Sequence, residues 1–132
     1  MTPRFGIDTS ILVRLLTGDP ETGYRRSVKI LTALIEQDGA EVFASNQVIG
    51  EAYIAVQHHY GVSKTDARAA LVSVLSSGLV APTNGAGVFT ALHAEGGCGL
   101  LDRLIADDYR RTEHVTLTLD KRMAAIPGCR LL

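Results

Sequence analysis

Tryptophan is missing from the 132 residues, and aromatic side chains make up only 5% of them. The core must therefore be assembled from Leu, Ile, Val and Ala. Cysteine occurs twice, at Cys98 and Cys129, with no CxxC pair and no cluster of Cys and His. That excludes a disulfide framework and leaves too few grouped ligands for a structural zinc, so two reduced thiols are expected. No apolar run approaches the ~20 residues of a membrane span, and Phe5-Gly6-Ile7 is cut off by Asp8 before it can serve as a signal-peptide core. These absences make a cytoplasmic location the expectation. Charge of one sign is not in excess either, the formal net charge being −1. Arrangement matters more than the sum. With four acids set aside to hold a cation, three net positive charges remain on the rest of the chain, so a nucleic-acid partner is not excluded. Repeats, low-complexity tracts and linkers are lacking, and residues 1–132 read as a single domain long enough to bury an ordinary core. Hydrophobic residues at 46% rule against disorder.

What is present is an alternation of short apolar strands and amphipathic helices. Residues 4–7 read as a strand ending at Asp8, followed by a helix over 11–16 capped by Thr9 or Ser10 and stopped by Gly18-Asp19-Pro20. Val28, Leu31, Leu34 and Ile35 recur at helical spacing within 21–37. Residues 41–44 form the second strand candidate, and Ser45 or Asn46 caps a helix over about 47–60 that Gly61 ends. A helix over 64–76 precedes a strand at 79–81. Gly85 and Gly87 weaken any helix in 84–97, although 88–95 is compatible with one. After the glycine loop at 96–99 come a helix over 100–111, a strand over 114–119, a short helix opened by Asp120 and a last edge strand at 130–132. Strand–helix alternation implies α/β architecture with a mostly parallel sheet. In such sheets sites form beyond the carboxyl ends of the strands.

Four acids stand out against this frame. Asp8 and Asp120 each follow a strand and open a helix, where the plain reading is an N-cap and the functional one a carboxylate facing the crevice. Glu51 lies inside the apolar stretch Val48-Ile49-Gly50-Glu51-Ala52-Tyr53-Ile54-Ala55-Val56 and shares a face with Ile54, Ala55 and His58. It is either a solvated outer residue or a buried carboxylate that needs a cation or a hydrogen-bond network. Asp102 sits at the start of Leu100-Leu101-Asp102-Arg103-Leu104-Ile105-Ala106, where the helix dipole favours an anion. Asp107 and Asp108, further along, read as solvated. Thr118 alternates to the same side as Asp120 and can hydrogen-bond a carboxylate or a metal-bound water. Clustered carboxylates repel one another, and an all-oxygen ligand set suits Mg²⁺ or Mn²⁺ better than zinc.

The ordered acids resemble those of the PIN-domain family, and within it the VapC-type toxins of bacterial toxin–antitoxin pairs. The resemblance spans essentially the whole chain. It rests on Ile7-Asp8-Thr9-Ser10-Ile11-Leu12-Val13-Arg14-Leu15-Leu16-Thr17-Gly18-Asp19-Pro20, on Gly50-Glu51-Ala52-Tyr53, on Leu101-Asp102-Arg103-Leu104-Ile105-Ala106 and on Thr118-Leu119-Asp120-Lys121-Arg122-Met123. By position, the family's four acids fall on Asp8, Glu51, Asp102 and Asp120. Its small hydroxyl near the last acid falls on Thr118, and its polar residue after the first acid on Thr9 or Ser10. Two departures are visible. Leu100-Leu101 precede the third acid in place of the commoner aromatic–small pair, and Arg122 stands where some relatives carry a further acid.

The resemblance implies a three-layer α/β/α fold with a mostly parallel central sheet. It also implies Mg²⁺- or Mn²⁺-dependent cleavage of single-stranded or looped RNA, a VapB-type antitoxin as partner and a homodimer. In such a scheme Asp8 and Asp102 are the main ligands, while Glu51 and Asp120 position metal through water or accept a proton. Arg14, Arg25, Arg26, Lys29, Arg103, Lys121 and Arg122 are candidates for phosphate contacts, or else merely solvated cations. Rival readings exist. A haloacid-dehalogenase-type phosphatase needs an acid at Ser10, a receiver domain needs an acid at a mid-chain strand end where Glu51 lies inside a helix, and a catalytically silent PIN-like module would bind RNA or protein only.

Overall fold

The computed structural model describes residues 1–132, and they divide into two units, residues 1–83 and 84–132. Strand pairing is parallel throughout. The class is α/β, with seven helices between short strands.

The first unit begins with β1 (Arg4–Gly6), α1 (Thr9–Thr17) and α2 (Glu21–Asp38). It continues with β2 (Glu41–Ala44), α3 (Asn46–Tyr60), α4 (Lys64–Leu75) and β3 (Ala81–Pro82). The sheet order is β1-β2-β3, with Phe5 opposite Val42 and Ala44 opposite Pro82. Val42 and Ala44 alternate into the interior as a half-buried strand requires. Helical spacing delivers the rest of the core: Leu12 and Leu15 from α1, Ile49, Ala52, Tyr53 and Val56 from α3, and Ala67, Leu71 and Leu75 from α4. Leu12, Ile49 and Leu71 are sealed from solvent. Helices α1, α3 and α4 pack on one another, which sets the start of α1 beside α3.

Two local expectations shift, and between Ser45 and Asn46 the structure selects one. The cap of α1 is Asp8, not Thr9 or Ser10, because the Asp8 carboxylate accepts the Ser10 N–H at 3.1 Å. Ser45 caps α3 through the Val48 N–H. The third strand falls at Ala81–Pro82 instead of 79–81, since a turn occupies 76–79 and the ladder resumes only where Thr83 N–H meets Ala44 O.

The second unit comprises α5 (Ala86–His93), α6 (Leu100–Arg111), β4 (Thr116–Thr118), α7 (Lys121–Ala124) and β5 (Cys129–Leu131). Its two strands pair in parallel with Thr116 opposite Cys129. Val88 and Leu100 are its most deeply buried side chains, and Cys98, Ala106 and Met123 form a small cluster against which Ile126 and Cys129 pack. The two cysteines, distant in sequence, thus contribute to one apolar cluster as free thiols.

Helix α5 forms despite Gly85 and Gly87. Its N-cap, Gly85, offers no side chain, and a carboxylate from α6 packs against its first turn. Asp107 lies against Gly87 so closely that a Cβ there would collide with Oδ1. The Asn84 amide donates to Asp107 at 3.0 Å and to Asp108 at 2.7 Å, and Arg110 stands 3.8 Å from Asp107. Asp107 is only 6% exposed. Its expected solvation is therefore wrong, and the reason is this anchoring of α5. No helix is long and apolar enough to cross a membrane.

Candidate active site

In the first unit Ile7 N–H bonds Phe43 O at 2.9 Å, which carries the chain one residue beyond β1 and delivers Asp8 at the carboxyl end of the sheet. Asp8 is exposed, and its capping bond to Ser10 N–H uses Oδ1. The plain and functional readings of this residue coexist, since Oδ2 stays open. Glu51 lies in the second turn of α3 and is exposed, not buried in the apolar layer. Its carboxylate is held from two sides. The Thr9 hydroxyl donates to Oε2 at 2.5 Å, and the Gln47 amide donates to Oε1 at 3.3 Å. The Thr9 bond spans 42 residues of sequence and ties the residue following Asp8 to the second acid. A hydrogen bond to a carboxylate is about twice as strong as one between neutral groups. Gln47 was not among the sequence candidates. The available signal was its place four residues before Glu51, on the same helix face.

In the second unit Asp102 occupies the first turn of α6, half-buried, and makes neither a hydrogen bond nor an ion pair. Its place in the first turn puts it at the end of the helix where the dipole favours an anion. Asp120 caps α7, its Oδ1 accepting from Arg122 N–H at 2.7 Å and Met123 N–H at 3.1 Å. Thr118 serves Asp120 differently from expectation: its Oγ1 accepts the Asp120 backbone N–H at 3.0 Å and fixes the turn, not the carboxylate. Asp102 and Asp120 are within electrostatic reach of one thiol. Burial pushes Cys98 above its usual range, the Arg103 guanidinium opposes that, and Asp102 and then Asp120 add to the rise.

The acids thus come as a pair in each unit, and neither unit holds three or more His, Cys, Asp or Glu side chains grouped for a metal. The fit to a hard cation rests on donor chemistry. All four groups are carboxylates, one oxygen of Asp8 is unused, and the half-buried Asp102 is without a partner. Such donors suit Mg²⁺ or Mn²⁺.

The structure also sorts the cations. Arg103 donates to Gly96 O at 2.8 Å and Cys98 O at 3.2 Å, so it staples the glycine loop and is not free for phosphate. Arg25 pairs with Glu21 at 2.6 Å on an exposed turn. Arg14, on α1, lays its guanidinium against α2, Cζ 3.0 Å from where a Gly23 Cβ would stand. Arg26, Lys29, Lys121 and Arg122 are exposed and carry no ion pair.

The topology is parallel α/β, with Asp8 and Asp120 following strands and Glu51 and Asp102 on helices. A family model described as PIN domain matches residues 6–128, and the chain belongs to that family. Its members are typically nucleases and generally use divalent metal ions. The chain matches no curated protein and no solved structure.

Proposed function

We propose that residues 1–132 act as a single PIN domain that cleaves RNA with Mg²⁺ or Mn²⁺, as the toxin of a VapC-type pair. Asp8, Glu51, Asp102 and Asp120 would hold the ion, with Thr9, Ser10 and Thr118 supporting them. The observation that carries the reading is the 2.5 Å bond from Thr9 to Glu51, which ties the second acid to the residue after the first. The match over residues 6–128 supports it, since it runs through both acid pairs.

The ion's contribution when bound is to lower the pKa of a water and to neutralise charge on the phosphodiester. The chain's own residues do the rest. Asp8 and Asp102 supply open carboxylate oxygens. Glu51, oriented by Thr9 and Gln47, and Asp120, fixed by two backbone amides, are placed to orient an attacking water or accept its proton. A VapB-type antitoxin and a second copy of the chain are the partners that go with a toxin role, in the cytoplasm.

The test is cleavage of single-stranded RNA in Mn²⁺ by wild type and Asp8→Asn. Asparagine caps a helix as well as aspartate does, so the fold is kept while an anionic ligand is lost. Activity should fall at least a hundredfold, and EDTA should abolish it in the wild type. Full activity in Asp8→Asn would remove the mechanism. Tight Mn²⁺ binding without cleavage of any RNA would leave a silent binding module.

A further inference from the structure

RNA cleavage beside four carboxylates needs cations that meet phosphates, and the structure disqualifies two of the seven that the sequence offered. Arg103 is spent on loop carbonyls and Arg25 on Glu21. Among the five that remain unpaired, only Lys121 and Arg122 adjoin a candidate ligand in the chain, Arg14 being six residues from Asp8 with its guanidinium against Gly23. They are the first two residues of α7, and the Arg122 N–H is one of the two amides that fix the Asp120 carboxylate. The backbone of both is therefore held by the same turn that positions the acid. Thr118 Oγ1 locks that turn from the strand side, and the buried Met123 locks it from the core side. Both side chains are exposed with no carboxylate within ion-pair distance. An unpaired lysine and arginine on a rigid turn next to an acid offer two mobile heads on a fixed base, which suits the repeating charge of a nucleic-acid backbone.

We infer that Lys121 and Arg122 are the RNA-backbone contacts of this protein, binding the phosphates that flank the one to be cleaved. The inference rests on the nuclease reading for which phosphate is meant, but its binding test does not require turnover. Wild type, Lys121→Gln/Arg122→Gln and Arg26→Gln/Lys29→Gln are titrated into a fluorescein-labelled single-stranded RNA in EDTA, at several salt concentrations, with anisotropy as the readout. Both double variants remove the same charge from exposed helix positions where Gln is as good a helix former. The α7 variant should flatten the plot of log affinity against log salt by about 1.4, at about 0.7 per lost contact on a single strand. The α2 variant should leave the slope near wild type. Lys121→Arg/Arg122→Lys should restore it, with melting temperatures unchanged throughout. An unchanged slope in the α7 variant, equal losses in the two double variants, or no RNA binding by wild type would each overturn the inference. In Mn²⁺ the α7 variant should raise KM with little change in kcat. A wild type that binds RNA but cleaves none sinks the nuclease reading and leaves this assignment standing.

Discussion

Thr9 and Glu51 show what a single hydroxyl can decide. Removing it leaves Oε2 of Glu51 bonded to nothing, with only the longer Gln47 contact on the other oxygen. A hydrogen bond to a charged group is worth about 1.5–3 kcal/mol, so Thr9→Val should lower kcat/KM about tenfold or more, whereas Thr9→Ser should keep most of it. Steady-state cleavage by the two variants decides the matter, and equal losses would point to packing of the Thr9 methyl instead. Cys98 makes a second prediction, about stability. Burial raises its pKa in the fold, so the native state favours the neutral thiol. That contribution is intact below the unfolded thiol's pKa and is lost as pH rises through the native one. Between about pH 8 and pH 10, wild type should lose more stability in urea than Cys98→Ala does. At this scale the sequence revealed the four acids but not their partners. Gln47 was passed over because its only signal was helical spacing to Glu51, and Asp107 was misjudged because its burial depends on Asn84 and Gly87, far away in the chain.

At the scale of elements, the periodic helices were the most legible part. The apolar spacing of α2, α3, α4 and α6 located them within a residue or two, since that spacing is itself what packs them. The strands were harder. β1, β3, β4 and β5 hold two or three residues each, and so short a run has no period to detect. Helix α5 was obscured for a different reason: its glycines argue against it, and the carboxylate that packs against its first turn comes from α6. This makes Gly87 a sharp test. In an ordinary helix Gly→Ala stabilises by up to about 1 kcal/mol. Here the new methyl would meet Asp107 Oδ1, and relieving such overpacking costs about 1–3 kcal/mol. Gly87→Ala should therefore lower the urea midpoint, by about 1–2 kcal/mol in stability. Asp107→Ala should do so too, by removing one of the two carboxylates that hold the Asn84 amide and the carboxylate packed against Gly87. The double variant should lose less than the two singles together, because the collision vanishes with the carboxylate. A more stable Gly87→Ala would show that Asp107 simply moves aside.

On the whole-molecule scale the proposal that one ion is held by all four acids is tested by thermodynamic linkage, without any assay of turnover. A ligand that binds only the folded chain stabilises it by about 2.7 kcal/mol at a hundred times its Kd. For a chain of this length that is a rise of about 10 °C in melting temperature, reversed by EDTA. Asp8→Asn and Asp102→Asn each replace a carboxylate by a neutral group of the same shape. Asp8→Asn keeps the cap of α1, so its metal-free melting temperature should stay near wild type. Each single variant should lose most of the Mn²⁺-induced rise. If one ion is shared, the first substitution already removes tight binding and the second has little left to remove, so Asp8→Asn/Asp102→Asn should resemble the worse single. Were each pair to hold its own ion, the two losses would instead add, each single keeping about half of the rise. Additive losses would sink the single-centre proposal for this chain and leave two independent sites, one at the carboxyl end of β1 and one beside α7.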